Sequence, residues 1–374
     1  MAMPTETYEC ISISDLQFDR IPITMFSSTG YKYTRWVEIG MPKIPEKIKD
    51  CIFFLYKSEK DAIQGKKSGG SGFLIGVQSD KYPEYSQYNY ICGVSNCHVV
   101  KNRKYSVIRL NKLDGSIEII PFSPDDWISF PKDHLVDIVI SPQINISQGV
   151  HKASFIHTSL FATEEILNIC EIGIGDNIFM IGRFMDYDGG RNINEPSTRF
   201  GNVSVMPIKI KQETGYKNGQ SYIMDIHSRT GYSGSPVFVY RTIVDNIDEW
   251  YKVGKKNHTY HKNQFLYLIG IHWGQFPEEW ETNTGPFRGI TKGMSGMTLV
   301  IPAQLILDLL NSPPIKDHRD KWEMNLQEHF KRNGYPPVAE SATYPSNQEN
   351  PQHKEDFNSL LTAAVKKKPQ ADET

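Results

Sequence analysis

Short apolar or alternating segments, separated by Gly, Pro, Asn and Asp, recur from about residue 46 to residue 312. Short strands divided by turn-forming residues are typical of closed antiparallel barrels. The segments fall into two groups of six, so the pattern predicts an all-β protein with a first barrel over about 46–160 and a second over about 161–312. The predicted strands are 51–56, 72–77, 90–94, 105–110, 116–121 and 137–141, then 177–182, 201–211, 221–227, 235–241, 265–275 and 297–302. A long loop rich in Gly and Glu is expected over 275–296.

The pattern changes to helical near the end of the barrels. The segment 303–310 (AQLILDLL) predicts a short apolar-faced helix that closes the second barrel. Two prolines at 313 and 314 break the chain, and then Trp322, Leu326 and Phe330 recur every four residues, which predicts a helix that ends at Gly334.

The two ends of the chain are predicted to be appendages. Residues 1–45 carry strand-like and aromatic pieces, and we expect them to pack on the core as an extension. Residues 335–351 are rich in Pro, Ser, Asn and Glu and predict a linker, so 313–374 form a helix with a flexible tail. An amphipathic helix beginning at Asp356 suits docking into an activating partner. A tail that folds only transiently fits equally well, because short isolated helices are marginal in water.

Composition narrows the functional classes. The 374 residues include 41 Lys+Arg and 43 Asp+Glu, a net charge of −2, so no attraction to nucleic acid or to a membrane is expected. No apolar run approaches the roughly 20 residues of a membrane helix. The start of the chain lacks the features of a secretory signal, and the 5 cysteines are an odd number without framework spacing. We therefore expect free thiols and a cytoplasmic location.

The segment 230–236 (TGYSGSP) is the strongest candidate for chemistry. Ser233 is the candidate nucleophile, and the N–H groups of Gly231 and Ser233 are the candidate oxyanion hole, because glycine lets the backbone aim both donors at one point. A tight turn between two strands explains the same residues. Ser235 is the other possible nucleophile, but it lacks the placement of Ser233 two residues after a glycine.

A candidate base and a candidate carboxylate lie upstream. His98 follows an apolar strand within 95–100 (SNCHVV), and Asp137 opens another apolar strand. A carboxylate that accepts from Nδ1–H of a histidine fixes its tautomer and stabilises the imidazolium. His98 also fits a core histidine, and Asp133 competes with Asp137, although Asp133 lies in a polar turn. The order His98, Asp137, Ser233 matches the chymotrypsin order and not those of subtilisin or the α/β-hydrolases.

Over about 46–312 the chain resembles the chymotrypsin-fold (trypsin-like) serine peptidases. The resemblance implies two six-stranded Greek-key barrels with the triad in the cleft between them, a protein or peptide substrate, and an acyl-enzyme intermediate. The segments that carry it are 69–75, 95–100, 137–140, 175–182, 200–204 and 230–236.

Two segments resemble the glutamyl endopeptidase branch in particular, namely 234–238 and 269–274 (IGIHWG). In that branch the histidine of the second segment lines the primary specificity pocket and helps to bind an acidic side chain, assisted by a hydroxyl five residues before the nucleophile. The resemblance therefore implies cleavage after Glu or Asp. The candidate substrate-binding residues are Ser228, His272, Trp273 and Gly274.

The chain departs from these families at two positions. Gln275 stands where a second glycine is common in the branch. Tyr232 stands where much of the trypsin family has an aspartate that pairs with a freed N-terminal amine on activation. A tyrosine cannot form that ion pair. The alternative function is accordingly a switched or inactive module of the same fold, which recognises a partner protein and acts only when the partner activates it.

No cofactor and no metal are predicted. Triad chemistry needs neither. His258 and His261 have a spacing that suits a metal site, but no further ligands cluster with them in the insertion 242–263, which we expect to be a solvated hairpin tip.

Overall fold

The computed structural model describes residues 20–26, 32–38, 44, 46–79, 88–131, 136–147, 149–183, 193–210, 220–228, 230–241, 265–284 and 287–333. The chain divides into the units Met1–Leu326, which holds every strand, and Gln327–Thr374. The predicted linker, the tail helix at Asp356, the pair His258 and His261, and Asp133 all lie outside the described residues.

Strands β1 (Arg20–Phe26) and β2 (Lys32–Glu38) form a separate antiparallel hairpin within the predicted N-terminal extension. Whether the extension packs on the core stays a prediction.

The first barrel is a half-barrel sheet of eight strands, in the order β7-β6-β3-β4-β5-β9-β8 with β10 added parallel to β4. Its core includes Phe53, Leu74, Ile108 and Trp127, and the rings of Phe53 and Trp127 lie 6.4 Å apart. The strands are β3 (Ile52–Tyr56), β4 (Gly70–Gln78), β5 (Asn89–Ser95), β6 (Val107–Asn111), β7 (Ile117–Pro121), β8 (Ile128–Ser129), β9 (Val139–Gln143) and β10 (Ile156–His157).

The second barrel closes completely, in the order β11-β12-β13-β16-β15-β14. All of its strand pairs are antiparallel, so no sheet edge is left along the paired segments. The two-barrel, chymotrypsin-like fold class is confirmed. The strands are β11 (Asn177–Gly182), β12 (Ser197–Lys209), β13 (Gln220–Asp225), β14 (Pro236–Arg241), β15 (Phe265–Thr284) and β16 (Phe287–Pro302).

The last two strands are much longer than predicted. We expected a loop from 275 to 296, but β15 and β16 continue as a two-stranded ribbon that pairs Pro277 with Met294 and, at its tip, Thr284 with Phe287. The loop prediction was wrong because it rested on the Gly and Glu content of this segment. Backbone pairing within one long hairpin holds the ribbon in spite of that composition.

The helices are short until the C-terminus: α1 (Glu46–Lys49), α2 (Glu59–Gln64), α3 (Glu164–Ile169) and α4 (Ala303–Leu310). Helix α4 buries Ala303, Ile306, Leu309 and Leu310, as its apolar face predicts. None of the helices in the described ranges is long and apolar enough to cross a membrane.

Helix α5 (Pro313–Asn333) begins at the prolines that we expected to break the chain. Proline is compatible with the first turn of a helix, where its missing N–H has no partner to lose. The predicted apolar face is confirmed, since Trp322, Leu326 and Phe330 are all buried. The Trp322 ring lies edge-on to Tyr90 of β5, with 5.9 Å between the ring centroids.

Four of the five cysteines fall within the described residues, and all four are buried thiols outside any disulfide: Cys51, Cys92, Cys97 and Cys170. The expectation of free thiols is therefore confirmed for these four.

Candidate active site

His98 and Asp137 form a tightly bonded pair within the first barrel. His98 begins a short helical turn just after β5, and Asp137 lies two residues before β9. The His98 Nδ1 atom lies 2.5 Å from Oδ2 of Asp137, and the His98 backbone N–H donates to Oδ1 at 2.8 Å. The Asn96 amide donates to the Asp137 carbonyl at 2.8 Å. The carboxylate is thus fixed in position as well as bonded.

This arrangement defines the chemistry of the imidazole. The Asp137 side chain is only 2% exposed, whereas that of His98 is 18% exposed. A carboxylate facing Nδ1 places the proton of the neutral ring there, which leaves the lone pair on Nε2. Within the described residues Nε2 makes no hydrogen bond. The neutral ring therefore has an unprotonated Nε2 without a partner in the described chain, and the side chain as a whole is partly exposed.

The loop that carries Ser233 depends on two left-handed glycines. Gly231 has a φ of 102° and Gly234 a φ of 87°. A side chain at Gly234 would also collide with the carbonyl oxygen of Ser71. Both positions therefore require glycine, which explains the spacing of the motif.

Two strands clamp this loop. From β4, the Ser71 N–H donates to the Ser233 carbonyl at 2.9 Å, and the Ser71 hydroxyl donates to the Gly231 carbonyl at 3.0 Å. From β15, His272 exchanges backbone hydrogen bonds of 3.0 Å with Gly234 and 2.9 Å with Ser235. Both carbonyls are turned toward Ser71. The N–H groups of Gly231 and Ser233 donate to no group in the described part of the chain.

The His98 corner and the Ser233 loop meet at the start of β4. An added Cβ on Gly70 would lie 2.9 Å from Cγ1 of Val99 and 3.0 Å from the carbonyl oxygen of Ser233. The hydroxyl of Ser95 donates to the carbonyl of the next residue, Ser71, at 2.8 Å. Small residues in β4 thus let the carbonyl of Ser233 and the side chain of Val99, the residue after His98, both approach Gly70. Within the described residues no hydrogen bond joins the Ser233 hydroxyl to the His98 ring.

The structure distinguishes the two candidate serines. Ser235 is completely buried, its N–H donates to the Tyr232 carbonyl at 2.9 Å, and its hydroxyl packs against Gly182, where a Cβ would clash with it. Ser233 is partly exposed. Since a nucleophile must be accessible to its substrate, Ser233 is the better candidate of the two serines.

His272, whose backbone pairs with the loop, and Ser228, five residues before Ser233, are both buried polar residues. His272 is 2% exposed and Ser228 7% exposed. Neither ring nitrogen of His272 nor the Ser228 hydroxyl makes a hydrogen bond of good geometry within the described residues. Burial lowers the pKa of His272 to about 4. Backbone groups of Tyr232 and Gly274 oppose this shift, and the nearby His98 adds to it. At neutral pH the ring is therefore uncharged.

The other two predicted substrate-binding residues follow on the same strand. The Trp273 indole donates to the Ser221 hydroxyl at 3.0 Å, which holds the ring against the barrel. Gly274 has no atom within 4 Å of the position that a Cβ would occupy. Trp273 is therefore anchored, whereas Gly274 borders open space.

Sequence reasoning missed the anchors of the loop. Nothing local marks Ser71 as a partner for a carbonyl 160 residues away, although its Gly-rich surroundings indicate a close approach of two backbones. Tyr232 was noted only as an unusual residue, but it is completely buried in the second barrel. Among the described residues there is no group of three or more His, Cys, Asp or Glu side chains that could hold a metal.

No family model matches the chain, and no curated protein matches it. Among solved structures it is similar to the MamO protease domain from Magnetospirillum magneticum, at 13% identity with a TM-score of 0.40, over 71% of this chain and 98% of that one. It is also similar to Deg5, at 14% identity with a TM-score of 0.37, over 70% and 88%. The HtrA-type protease AlgW with a decapeptide matches at 15% identity with a TM-score of 0.37, over 67% and 53%. The glutamyl endopeptidase resemblance stays a prediction.

Proposed function

We propose that the protein is a trypsin-like serine endopeptidase in which Ser233 is the nucleophile, His98 the general base and Asp137 the orienting carboxylate. The observation that carries this proposal is the 2.5 Å contact between His98 Nδ1 and Asp137, beside a loop whose Gly231 and Ser233 N–H groups have no partner in the described chain. A base with a fixed tautomer and a pair of converging donors are the two requirements of acyl transfer by serine.

Acylation begins when Ser233 Oγ attacks the carbonyl carbon of the peptide bond and His98 Nε2 takes the hydroxyl proton. The electron pair of the C=O bond moves to oxygen, and the N–H groups of Gly231 and Ser233 stabilise this oxyanion. As the intermediate collapses, the C–N bond breaks and His98 returns the proton to the leaving amine. The products are an ester on Ser233 and a free amine.

Deacylation repeats these steps with water as the nucleophile. His98 takes a proton from the water, whose oxygen attacks the ester carbonyl, and the proton then returns to Ser233 Oγ as the ester bond breaks. Asp137 keeps Nε2 as the basic nitrogen throughout and stabilises the imidazolium. This cycle uses no cofactor.

We further propose cleavage after Glu or Asp. The support is the position of His272, whose backbone pairs with the nucleophile loop and whose buried ring nitrogens, like the Ser228 hydroxyl, have no partner of good geometry in the described chain. A substrate carboxylate would supply that partner, and a charge-assisted hydrogen bond would form once the ring takes up a proton.

The test compares wild type, Ser233→Ala and Ser235→Ala on a mixed peptide library, with cleavage sites read by mass spectrometry. Ser235→Ala is the matched control because it removes a hydroxyl two residues away that is buried and has no partner in the described chain. We expect cuts after acidic residues in wild type and Ser235→Ala, and none in Ser233→Ala.

The other outcomes separate the parts of the proposal. Cuts that depend on Ser233 but follow other residues would keep the endopeptidase and discard the acidic pocket. Equal cutting by Ser233→Ala would contradict the mechanism. The absence of cuts in wild type would favour the alternative, a module that is inactive until a partner switches it.

A further inference from the structure

Tyr232, the residue between the two proposed oxyanion donors, is held by a hydrogen bond inside the second barrel. Its side chain is completely buried, and its hydroxyl lies 2.5 Å from Oγ of Ser197 on β12. The Ser197 hydroxyl also lies 3.5 Å from the carbonyl of Gly182, to which it donates. Either hydroxyl can donate in the contact between the two side chains, since each carries one hydrogen and accepting lone pairs.

The ring of Tyr232 is held as well as its hydroxyl. The Arg199 guanidinium carbon lies 5.4 Å from the ring centroid, a cation–π distance. Gly182 backs the ring, since an added Cβ there would come within 3.0 Å of Tyr232 Cδ1. Tyr232 also belongs to the hydrophobic core of the barrel, together with Met180 and Val237. The side chain therefore has one position available to it.

Fixing this side chain fixes the backbone on both sides of it. Tyr232 is bonded directly to Gly231 and to Ser233, whose N–H groups are the proposed donors, and its own carbonyl accepts from Ser235 at 2.9 Å. Gly231 has the conformational freedom of a residue with positive φ, so it would not hold the loop by itself. Tyr232 is thus the part of the loop that couples its conformation to the barrel core.

We infer that Tyr232, through its hydrogen bond to Ser197, locks the nucleophile loop in the arrangement that aims the N–H groups of Gly231 and Ser233 at the oxyanion. In this role it is a positioning residue. The hydrogen bond joins two hydroxyl groups, one on the loop and one on β12. It therefore needs no ion pair with a freed N-terminal amine. The inference rests on the proposed function, and it adds that the loop is active without N-terminal cleavage.

The test measures how fast a fluorophosphonate modifies Ser233, a reaction in which Oγ bonds to phosphorus and fluoride leaves. Tyr232→Phe and Ser197→Ala each remove the same hydrogen bond from the full chain. Tyr222→Phe is the matched control, because Tyr222 is a completely buried tyrosine of the same barrel whose hydroxyl has no partner in the described residues.

We expect Tyr232→Phe and Ser197→Ala to slow labelling between about tenfold and a hundredfold. Without this hydrogen bond the N–H groups of Gly231 and Ser233 are oriented less well, so they stabilise the developing negative charge less. The double variant should be no slower than the slower single variant, since each change breaks the same bond. Tyr222→Phe should label within about twofold of wild type.

Two further readouts separate positioning from loss of structure. The labelled fraction at long times should reach the wild-type value, and the pH midpoint of labelling should not move, because the His98–Asp137 pair is untouched. A protein that carries an N-terminal fusion should label as fast as one with the fusion removed.

Wild-type rates in both Tyr232→Phe and Ser197→Ala would overturn the lock, as would labelling that requires removal of the fusion. Both results leave the endopeptidase proposal standing as long as wild-type Ser233 is labelled. No labelling of Ser233 in wild type would overturn the proposed function and, with it, the lock.

Discussion

The two barrels hold their shares of the candidate site in different ways. In the first barrel, the hydrogen bonds that place the candidate base and its carboxylate are internal: they join Asn96, His98 and Asp137, which lie just after β5 or just before β9. In the second barrel, the nucleophile loop is completed from outside, because the carbonyls of Gly231 and Ser233 accept their hydrogen bonds from Ser71 of the first barrel.

Because of this difference, the two parts of the candidate site should respond differently to substitutions where the barrels meet. The base is prepared by a local structure and should tolerate changes where the barrels meet. The proposed oxyanion donors belong to a loop that Ser71 bonds to the first barrel and that the Tyr232–Ser197 hydrogen bond joins to its own barrel. Damage at the contact should therefore reduce turnover through the oxyanion and leave the hydrogen bond between His98 and Asp137 in place.

The largest effect that bears on this comparison is expected for Asp137→Asn, with a loss on the order of 10⁴-fold in kcat. The His98 N–H donates to Oδ1, so the amide oxygen of the new residue must stay there. The amide NH2 group then faces Nδ1 and drives the ring proton to Nε2, where it blocks the base. The measurement is kcat of wild type and Asp137→Asn on one peptide that the library experiment shows to be cleaved.

Asp176→Asn provides the control in the other barrel. Asp176 is bonded bidentately to Arg241, at 2.8 and 2.7 Å, and Arg241 lies at the opposite end of β14 from the Ser233 loop. Its loss should lower the unfolding temperature with kcat nearly unchanged. If Asp137→Asn kept kcat within tenfold of wild type, the assignment of the carboxylate would be wrong.

A medium effect is expected for Ser71→Ala, which removes the donor to Gly231 and the acceptor of the Arg183 N–H at 2.8 Å. We expect about 1–3 kcal/mol less stability and roughly a 10- to 100-fold lower kcat, with the pH midpoint of kcat unchanged. Urea unfolding and a pH–rate profile would measure both.

Ser141→Ala is the matched control for Ser71→Ala. Ser141 is buried and accepts the Gly93 N–H at 2.8 Å, entirely within the first barrel. It should cost comparable stability but little kcat. An equal loss of kcat in the two variants would show that stability alone, and not the contact between barrels, sets turnover.

The smallest effect concerns His272 and pH. Its pKa is lowered from 6.5 to about 4, so between these values the unfolded chain binds a proton that the folded chain does not. The stabilising contribution is therefore present above pH 6.5 and is lost as pH falls toward 4, by at most roughly 1.4 kcal/mol per pH unit.

His272→Gln should flatten this part of the stability profile, measured by urea unfolding between pH 4.5 and 7.5. His227→Gln, the same substitution at an exposed position in the same barrel, is the control for the loss of a histidine as such, and His272→Gln should flatten the profile more than it does. An unaltered slope in His272→Gln would mean that another group causes the pH dependence.

The parts of the fold that the sequence predicted are those with a local signature. Apolar segments marked all the major strands of both barrels, and His98, Asp137 and the Ser233 loop each carried a recognisable pattern of neighbours. The structure then placed the Nδ1 atom of His98 against Asp137, 39 residues away.

What could not be predicted depends on contacts between distant segments. Ser71 looks like any serine in a glycine-rich strand until the second barrel packs on it. Tyr232 looks like a departure from a family motif until Ser197, 35 residues earlier, lies beside its hydroxyl. The ribbon of β15 and β16 is stabilised by backbone pairing, which leaves little trace in residue type.

The central claim is that Ser233 is a nucleophile activated by His98 and Asp137. The most direct test is to treat wild type and Asp137→Asn with a fluorophosphonate at neutral pH and to locate the adduct by peptide mass spectrometry, which needs no knowledge of the substrate. The account predicts a single adduct on Ser233 that forms at least a hundredfold more slowly in Asp137→Asn. An adduct on another serine with Ser233 unmodified, or equal rates in the two proteins, would contradict it.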